Sequence, residues 1–422
     1  MGSMRSPARS SRGSPGVAGS TGTGSTWAGS TWAGGLRTEL AALDARSLRR
    51  SVVTPSSGQD AHVEIDDHRY VHFTSNNYLG LATDARLKAA AKDAIDRYGT
   101  SVTASRLLAG STPLHDDLER RLAALNDHEA CLLFSAGYLA NLGVMSALAG
   151  PGTEVFSDAL NHASIIDGCR LARTRVRVYP HADMEALSSL LAESTAERKI
   201  VVSETVFSMD GDLAPLPELL ETARRFEAAL VLDEAHAVGV FGPGGEGTLR
   251  HFGLEAPEAI IVGTLSKALG SVGGFVSAQS DVVEYLLNKA RPFIFNTALP
   301  PSAVGAAHAA LDVVAAEPER RARVLALAED LRTRLRDLGL DAGPSASPIV
   351  PAIVGTAEAA LDVEARLRAG GVLAKAVRPP TVPEGTSRIR FNLMATHSEA
   401  DVAAVTAALQ PGPLAAGTTG PT

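Results

Sequence analysis

Cysteine is scarce in this chain, and so are aromatic residues and long apolar runs. Among 422 residues there are 2 cysteines, and phenylalanine, tryptophan and tyrosine together make up 5%. Two thiols, Cys131 and Cys169, without metal-type spacing exclude a disulfide framework and a cysteine-built zinc site, and indicate a reduced, cytoplasmic setting. No metal is expected. Nowhere do apolar residues run to the ~18–20 needed for a membrane span. No apolar segment of signal-peptide type stands near the N-terminus either. A basic excess is also missing: the net charge is −8, which argues against nucleic-acid binding and against docking on an anionic membrane. Any phosphate site must therefore be local. What the chain does have is ordinary for a globular protein large enough to bury a sizeable core, with 45% hydrophobic and 20% charged residues.

Residues 1–35 are rich in Gly, Ser, Thr and Ala and contain the direct repeat Gly24-Ser-Thr-Trp-Ala-Gly-Ser-Thr-Trp-Ala33. Lacking apolar periodicity, they read as a disordered tail. Residues 36–75 read as an N-terminal helix, with Leu36, Leu40, Leu43 and Leu48 at helical spacing, followed by a hairpin through His62-Val-Glu-Ile and Tyr70-Val-His-Phe. Between about 76 and 300, seven short apolar runs recur: Cys131–Phe134, Glu154–Phe156, Arg175–Tyr179, Lys199–Ser203, Ala229–Leu232, Ala259–Val262 and Gly274–Ser277. Most are separated by stretches of helical spacing. That alternation predicts an α/β domain with a mainly parallel, seven-stranded sheet covered on both faces. Residues 301–410 read as a smaller α/β C-terminal domain entered through a long helical stretch over 302–339. Residues 411–422 read as a second flexible tail.

In such folds ligands bind outside the carboxyl ends of the strands, and the polar motifs of this chain follow its strands. Lys267 comes just after the run Ala259–Val262, beside Thr264 and Ser266. Buried there, a lysine is desolvated, its neutral amine becomes accessible near neutral pH and can form a Schiff base with an aldehyde; on its own, a Ser-Lys pair reads instead as a solvent-facing helix start. Asp233 ends the run Ala229–Leu232, where a buried carboxylate needs a partner such as a pyridinium N–H. The segment Leu232-Asp-Glu-Ala-His236 also looks like the magnesium-binding segment of helicases. That reading requires G-x-x-x-x-G-K-[ST], and no Gly-Lys pair occurs in the chain, so an ATPase is disfavoured. Gly242-Pro-Gly-Gly-Glu-Gly247 fits G-x-G-x-x-G by letter but sits in the wrong place for a dinucleotide turn. Ser135-Ala-Gly-Tyr-Leu-Ala-Asn141 follows a strand and opens a helix, offering free N–H groups at Gly137 and Tyr138 to a phosphate. His162 stands where it can stack on a planar ring. Glu204 and Ser208 share the next strand-end loop, and Arg378 and Arg390 are candidates for a carboxylate clamp.

Taken together, several segments in one order resemble the α-oxoamine synthase family, pyridoxal 5′-phosphate (PLP) enzymes of transferase fold type I. They are Ser75-Asn-Asn-Tyr-Leu-Gly-Leu81, Gly99-Thr-Ser-Val-Thr-Ala-Ser-Arg-Leu-Leu-Ala-Gly110 with His115, Asn161-His-Ala-Ser164, Val206-Phe-Ser-Met-Asp-Gly-Asp212, Leu232-Asp-Glu-Ala-His236, Thr264-Leu-Ser-Lys267 and Arg378-Pro-Pro-Thr-Val-Pro-Glu-Gly-Thr-Ser-Arg-Ile-Arg390. The likeness runs from about Leu36 to Leu409. It implies an acyltransferase that condenses an amino acid with an acyl thioester and releases carbon dioxide. For this chain the implied substrates are L-alanine and a pimeloyl group carried on coenzyme A or on an acyl carrier protein. Lys267 would then hold PLP as a Schiff base and act as base; Asp233 would pair with the pyridine nitrogen, and His162 would stack on the ring. His236, Ser208 and Glu204 would lie near the ring, His236 with a catalytic role as well. Gly137, Tyr138, Thr264 and Ser266 would hold the phosphate, joined by Asn296 and Thr297 from the second subunit of a homodimer. Asn76, Arg378 and Arg390 would take the amino-acid carboxylate, and Arg49 the distal carboxylate of the acyl chain. Two departures stand out: Asn77 where many relatives have Asp, and Val102, Thr103 and Ala104 at sites often occupied by glycine.

Overall fold

The computed structural model describes residues 31–410, so the disorder expected for most of the first tail and for the second lies outside the described residues. The chain divides into two compact units, 1–51 and 52–422. In the first unit the helix Thr31–Ala45 begins inside the stretch expected to be a tail, and Trp32 on it is exposed. The repeat therefore ends in a helix rather than in coil.

Within the second unit, β1 (His62–Ile65) and β2 (His68–His72) form the expected hairpin, turning through Asp66 and Asp67, both left-handed at φ 50° and 62°. Asp tolerates that region because its short polar side chain bonds the local backbone. The strands of the main sheet are β3 (Ala130–Phe134), β4 (Thr153–Asp158), β5 (Arg175–Tyr179), β6 (Arg198–Glu204), β7 (Ala229–Asp233), β8 (Ile260–Thr264) and β9 (Gly274–Ala278), in the spatial order β3-β9-β8-β7-β6-β4-β5. Pairs among β5, β4, β6, β7 and β8 are parallel, and β9 runs antiparallel between β8 and β3. All seven expected strands are present. Helices cover both faces, which is why β7 (ALVLD) and β8 (IIVGT) are almost uninterruptedly apolar rather than alternating.

The helical stretch expected over 302–339 is two helices, Pro301–Ala316 and Glu319–Asp337, broken at Glu317-Pro318 because proline cannot continue the hydrogen-bond ladder of the first. Beyond them lie β10 (Ile349–Gly355), β11 (Val372–Leu373), β12 (Lys375–Val377) and β13 (Ser387–Asn392). Strands β10, β13 and β12 form an antiparallel sheet with β13 in the middle, and β11 joins the hairpin sheet parallel to β2. Backbone bonds then tie the Phe73–Tyr78 loop to the end of β13: Asn392 N donates to Phe73 O at 2.8 Å, and Ala395 N to Tyr78 O at 2.7 Å. This brings Asn76 against Arg390, 314 residues apart in the chain.

Candidate active site

Lys267 lies three residues past the end of β8, and its Nζ is 2.7 Å from Nε2 of His236, three residues past the end of β7. Burial lowers the lysine to about 8, partly opposed by Asp233 and Glu204. His236 is held well below the usual histidine range, first by burial and then by the Lys267 and Arg390 charges. A neutral imidazole accepts from Lys267 at Nε2, so its Nδ1–H donates to the Tyr78 hydroxyl at 2.7 Å, and Tyr78 in turn donates to Asn76 Oδ1 at 3.2 Å. Burial pushes Tyr78 up to about 12, so it remains a phenol throughout the working range. Asn76 Oδ1 also receives Arg390 Nη2 at 3.3 Å and Asn392 Nδ2 at 3.2 Å.

Asp233 closes β7 with its carboxylate buried. Ala235 N donates to Oδ1 at 2.9 Å and Asn141 Nδ2 to Oδ2 at 2.6 Å. Each oxygen keeps a lone pair for a further donor. His162 caps the helix Ala163–Ala172 through its own Nδ1, and part of the side chain stays exposed. Desolvation of the rest, with Lys267, lowers its proton affinity, against Asp233 and Asp167. Glu204 ends β6, and burial together with Asp233 raises it far above the carboxylate range. Ser208 is buried in the turn that follows, where its backbone bonds Glu204.

The helix Gly137–Leu148 starts after Ala136, which has no side-chain oxygen with which to cap it. A Cβ on Gly274 would meet Ala136 O at 2.5 Å, so a glycine in β9 lets that helix end approach the sheet. Thr264 Oγ1 donates to Gly273 O at 2.8 Å and lies 2.8 Å from Ser266 Oγ, close to Gly137. Uncapped N–H groups beside two hydroxyls, with Ser266 exposed, suit a phosphate. Among the buried polar atoms without a hydrogen-bond partner in the described residues are Glu204 Oε1, Arg390 Nε and Asn392 Oδ1. A PLP-sized polar ligand with an amino-acid carboxylate answers each of these features, so the residues present fit the group.

Thr297 O accepts from Ser135 Oγ at 2.9 Å, which puts Asn296 and Thr297 beside the residues that lead into the helix Gly137–Leu148 of their own chain. Arg378 sits in the loop between β12 and β13. Arg49 belongs to the first unit, where it pairs with Asp44 at 2.7 Å. Asn77, anticipated as a neutral amide near a substrate entrance, is buried and spent on the backbone: its Oδ1 accepts from Leu81 N and Ala82 N, and its Nδ2 donates to Gln59 O. An aspartate there would lose the last of these bonds. Thr103 adopts φ 53°, a left-handed conformation that β-branched residues rarely take and that glycine takes freely. Sequence reasoning missed Tyr78, Asn141, Ser164, Asn392 and Arg388. Arg388, buried on β13, grips Asp210 and so joins the central strand of the small sheet to the Ser208 turn.

A lysine and an acid at neighbouring strand ends, with a partly exposed imidazole near both and an uncapped helix start beside them, define a PLP enzyme of fold type I. The profile of the class I and II aminotransferase family matches residues 68–409, and the chain belongs to that family. Within it the chain falls among the α-oxoamine synthases. It is 50% identical over 371 residues to the 8-amino-7-oxononanoate synthase of Anaeromyxobacter dehalogenans, covering 88% of this chain and 93% of that protein. Among solved structures, a serine palmitoyltransferase from S. paucimobilis with a bound PLP–myriocin aldimine superposes with a TM-score of 0.84 at 33% identity, covering 89% of this chain and 96% of that one. An 8-amino-7-oxononanoate synthase from Francisella tularensis does so with a TM-score of 0.70 at 28% identity, covering 81% and 96%. Among the described residues, no helix is long and apolar enough to cross a membrane.

Proposed function

We propose that this chain joins L-alanine to a pimeloyl thioester, on coenzyme A or on an acyl carrier protein, giving 8-amino-7-oxononanoate for biotin synthesis. A carbon–carbon bond forms between the α-carbon of alanine and the thioester carbonyl as the C–S bond breaks. The carboxylate of alanine leaves as carbon dioxide, a proton takes its place, and the thiol departs. The observation that carries the reading is Lys267 Nζ, held at a pKa of about 8 and 2.7 Å from His236 Nε2.

PLP, when bound, supplies an aldehyde that captures amines and a ring that draws electrons from the α-carbon. The chain supplies the rest. Burial lowers Lys267 to about 8, so its neutral amine is accessible near neutral pH to take and return the α-proton. Asp233 would pair with the pyridine nitrogen, His162 would stack on the ring, and Ser208, Glu204 and His236 would lie near its hydroxyl. Gly137, Tyr138, Thr264 and Ser266 would hold the phosphate. Arg390 and Asn76 would orient the amino-acid carboxylate, with Arg378 beside them. Tyr78 serves either tautomer of His236, because its hydroxyl reaches both Nδ1 and Asn76 Oδ1. When Tyr78 donates to Nδ1, the proton sits on Nε2, where it polarises the thioester carbonyl. A cytoplasmic homodimer, with Asn296 and Thr297 of each subunit completing the other's phosphate site, completes the reading. So does a division of the second unit near residue 300 into a cofactor-binding and a smaller C-terminal domain.

The test is a panel of alanine, glycine and serine against acyl thioesters of graded chain length, followed by release of carbon dioxide and thiol. Alanine with pimeloyl thioester is expected to give the highest kcat/KM. A preference for serine with a long acyl chain would favour a second reading, supported by the higher TM-score to the palmitoyltransferase.

A further inference from the structure

Between Asp233 and His162 runs a buried chain of polar groups that the proposed chemistry does not use. Asn141, 3% exposed, sits in the first turns of the helix Gly137–Leu148. Its Nδ2 donates to Asp233 Oδ2 at 2.6 Å and to Ser164 Oγ at 3.0 Å. Ser164 is fully buried, and its Oγ lies 2.7 Å from His162 Nδ1, to which Ser164 N also donates at 3.2 Å.

Counting protons fixes every direction in this chain. An amide nitrogen carries two hydrogens, and both are used. Turning the Asn141 amide over would set its oxygen against the Asp233 carboxylate, acceptor to acceptor, so the nitrogen must face Asp233. Ser164 Oγ, having accepted from Asn141, has one proton to give, and the acceptor within reach is His162 Nδ1. That nitrogen already receives the Ser164 amide, so it bears no proton. His162 is then the neutral tautomer with its hydrogen on Nε2. The titratable groups facing this network are Asp233, Glu204, Lys267 and Asp167. Asn141 Oδ1 has no partner among the described residues, so the amide is held by its donors alone.

We infer that Asn141 and Ser164 are positioning residues that orient the Asp233 carboxylate and lock His162 as its Nε2–H tautomer, coupling the two groups that grip the PLP ring from its edge and its face. The inference rests on the assignment of those two groups to PLP. Two substitutions take the coupling apart: Ser164→Ala removes the donor to His162, and Asn141→Leu removes both donors while keeping the volume. Asn141→Asp, which sets a second carboxylate against Asp233, serves if the leucine variant does not fold.

Nitrogen-15 NMR of the cofactor-free protein, with the His162 signal assigned by its loss in His162→Gln, reads the tautomer directly. Wild type should show the hydrogen on Nε2, and Ser164→Ala a mixture of tautomers. Titration with PLP reads the other end. Asn141→Leu should bind it about tenfold more weakly, with the pH midpoint of the visible band displaced by about one unit. An unchanged tautomer in Ser164→Ala, or a PLP affinity within twofold of wild type in the Asn141 variant, overturns the inference. If wild type itself shows no visible band with PLP, it is the assignment of the site that fails, and the tautomer measurement still judges the coupling.

Discussion

The two walls of the site are made differently. On one side, the carboxyl ends of β6, β7 and β8 present Glu204, Asp233, His236 and Lys267, whose neutral forms burial favours in three of the four. On the other, β13 presents arginines. Residues two apart on a strand share a face, so Arg388 and Arg390 reach the same way, one to Asp210 and the other to Asn76. On the proposed reading, the groups that exchange protons stand on the parallel sheet, where adjacent strand ends converge. Those that stay charged and hold a carboxylate stand on a short antiparallel strand. The sheets would then divide proton transfer from anchoring.

If that division is real, losses on the two sides should differ in kind. Lys267→Ala should lower kcat by at least about a thousandfold, the range for removing a nucleophile that doubles as general base. A variant that kept a tenth of the activity would break the comparison. Arg390→Leu should raise KM for the amino acid roughly 10- to 100-fold, with a smaller change in kcat, because a charge-assisted bond to a carboxylate contributes about 1.5–3 kcal/mol. A fall confined to kcat would place Arg390 with the proton-transfer groups instead.

Asp210→Ala leaves Arg388, 4% exposed, without its carboxylate partner, and should cost about 3 kcal/mol in chemical denaturation. The smallest effect concerns His181, which bridges Asp158 at 3.0 Å and Asp212 at 2.8 Å on the far side of the Ser208 turn. Burial opposes its charge, but the two carboxylates outweigh burial and lift it to about 10. A raised histidine stabilises the fold fully below its unfolded value of about 6.5, and that stabilisation is lost as pH rises through about 10. The wild-type Tm should therefore fall by a few degrees more between pH 7 and 10.5 than that of His181→Gln.

Much of this architecture could be read in the linear chain. The seven strands were legible because buried parallel strands are written as short apolar runs, and the loops bearing Lys267, Asp233 and His162 because they follow those runs directly. The helix break at Pro318 was missed, although proline announced it. Asn141, Ser164 and Tyr78 carried no signal of their own. Asn141 and Tyr78 bond Asp233 and His236, 92 and 158 residues away, Ser164 receives Asn141, and a buried asparagine, serine or tyrosine is common in any core. Arg388 was quoted only as part of a motif, since nothing local distinguishes its β13 neighbour Arg390 from it. What fold-distant hydrogen bonds decide, periodicity cannot show.

The turn that carries Ser208 ends at Gly211, whose φ is 73° and whose added Cβ would lie 2.2 Å from Ile349 O. That turn is seated directly on the β10 strand of the other sheet, with Ala346 N bonded to Gly211 O at 3.0 Å. For anyone redesigning the enzyme, this is a fixed hinge pin rather than a tunable loop. Lengthening or decorating it would pry the two sheets apart, so new acyl specificities must be sought at rims that touch only one of them.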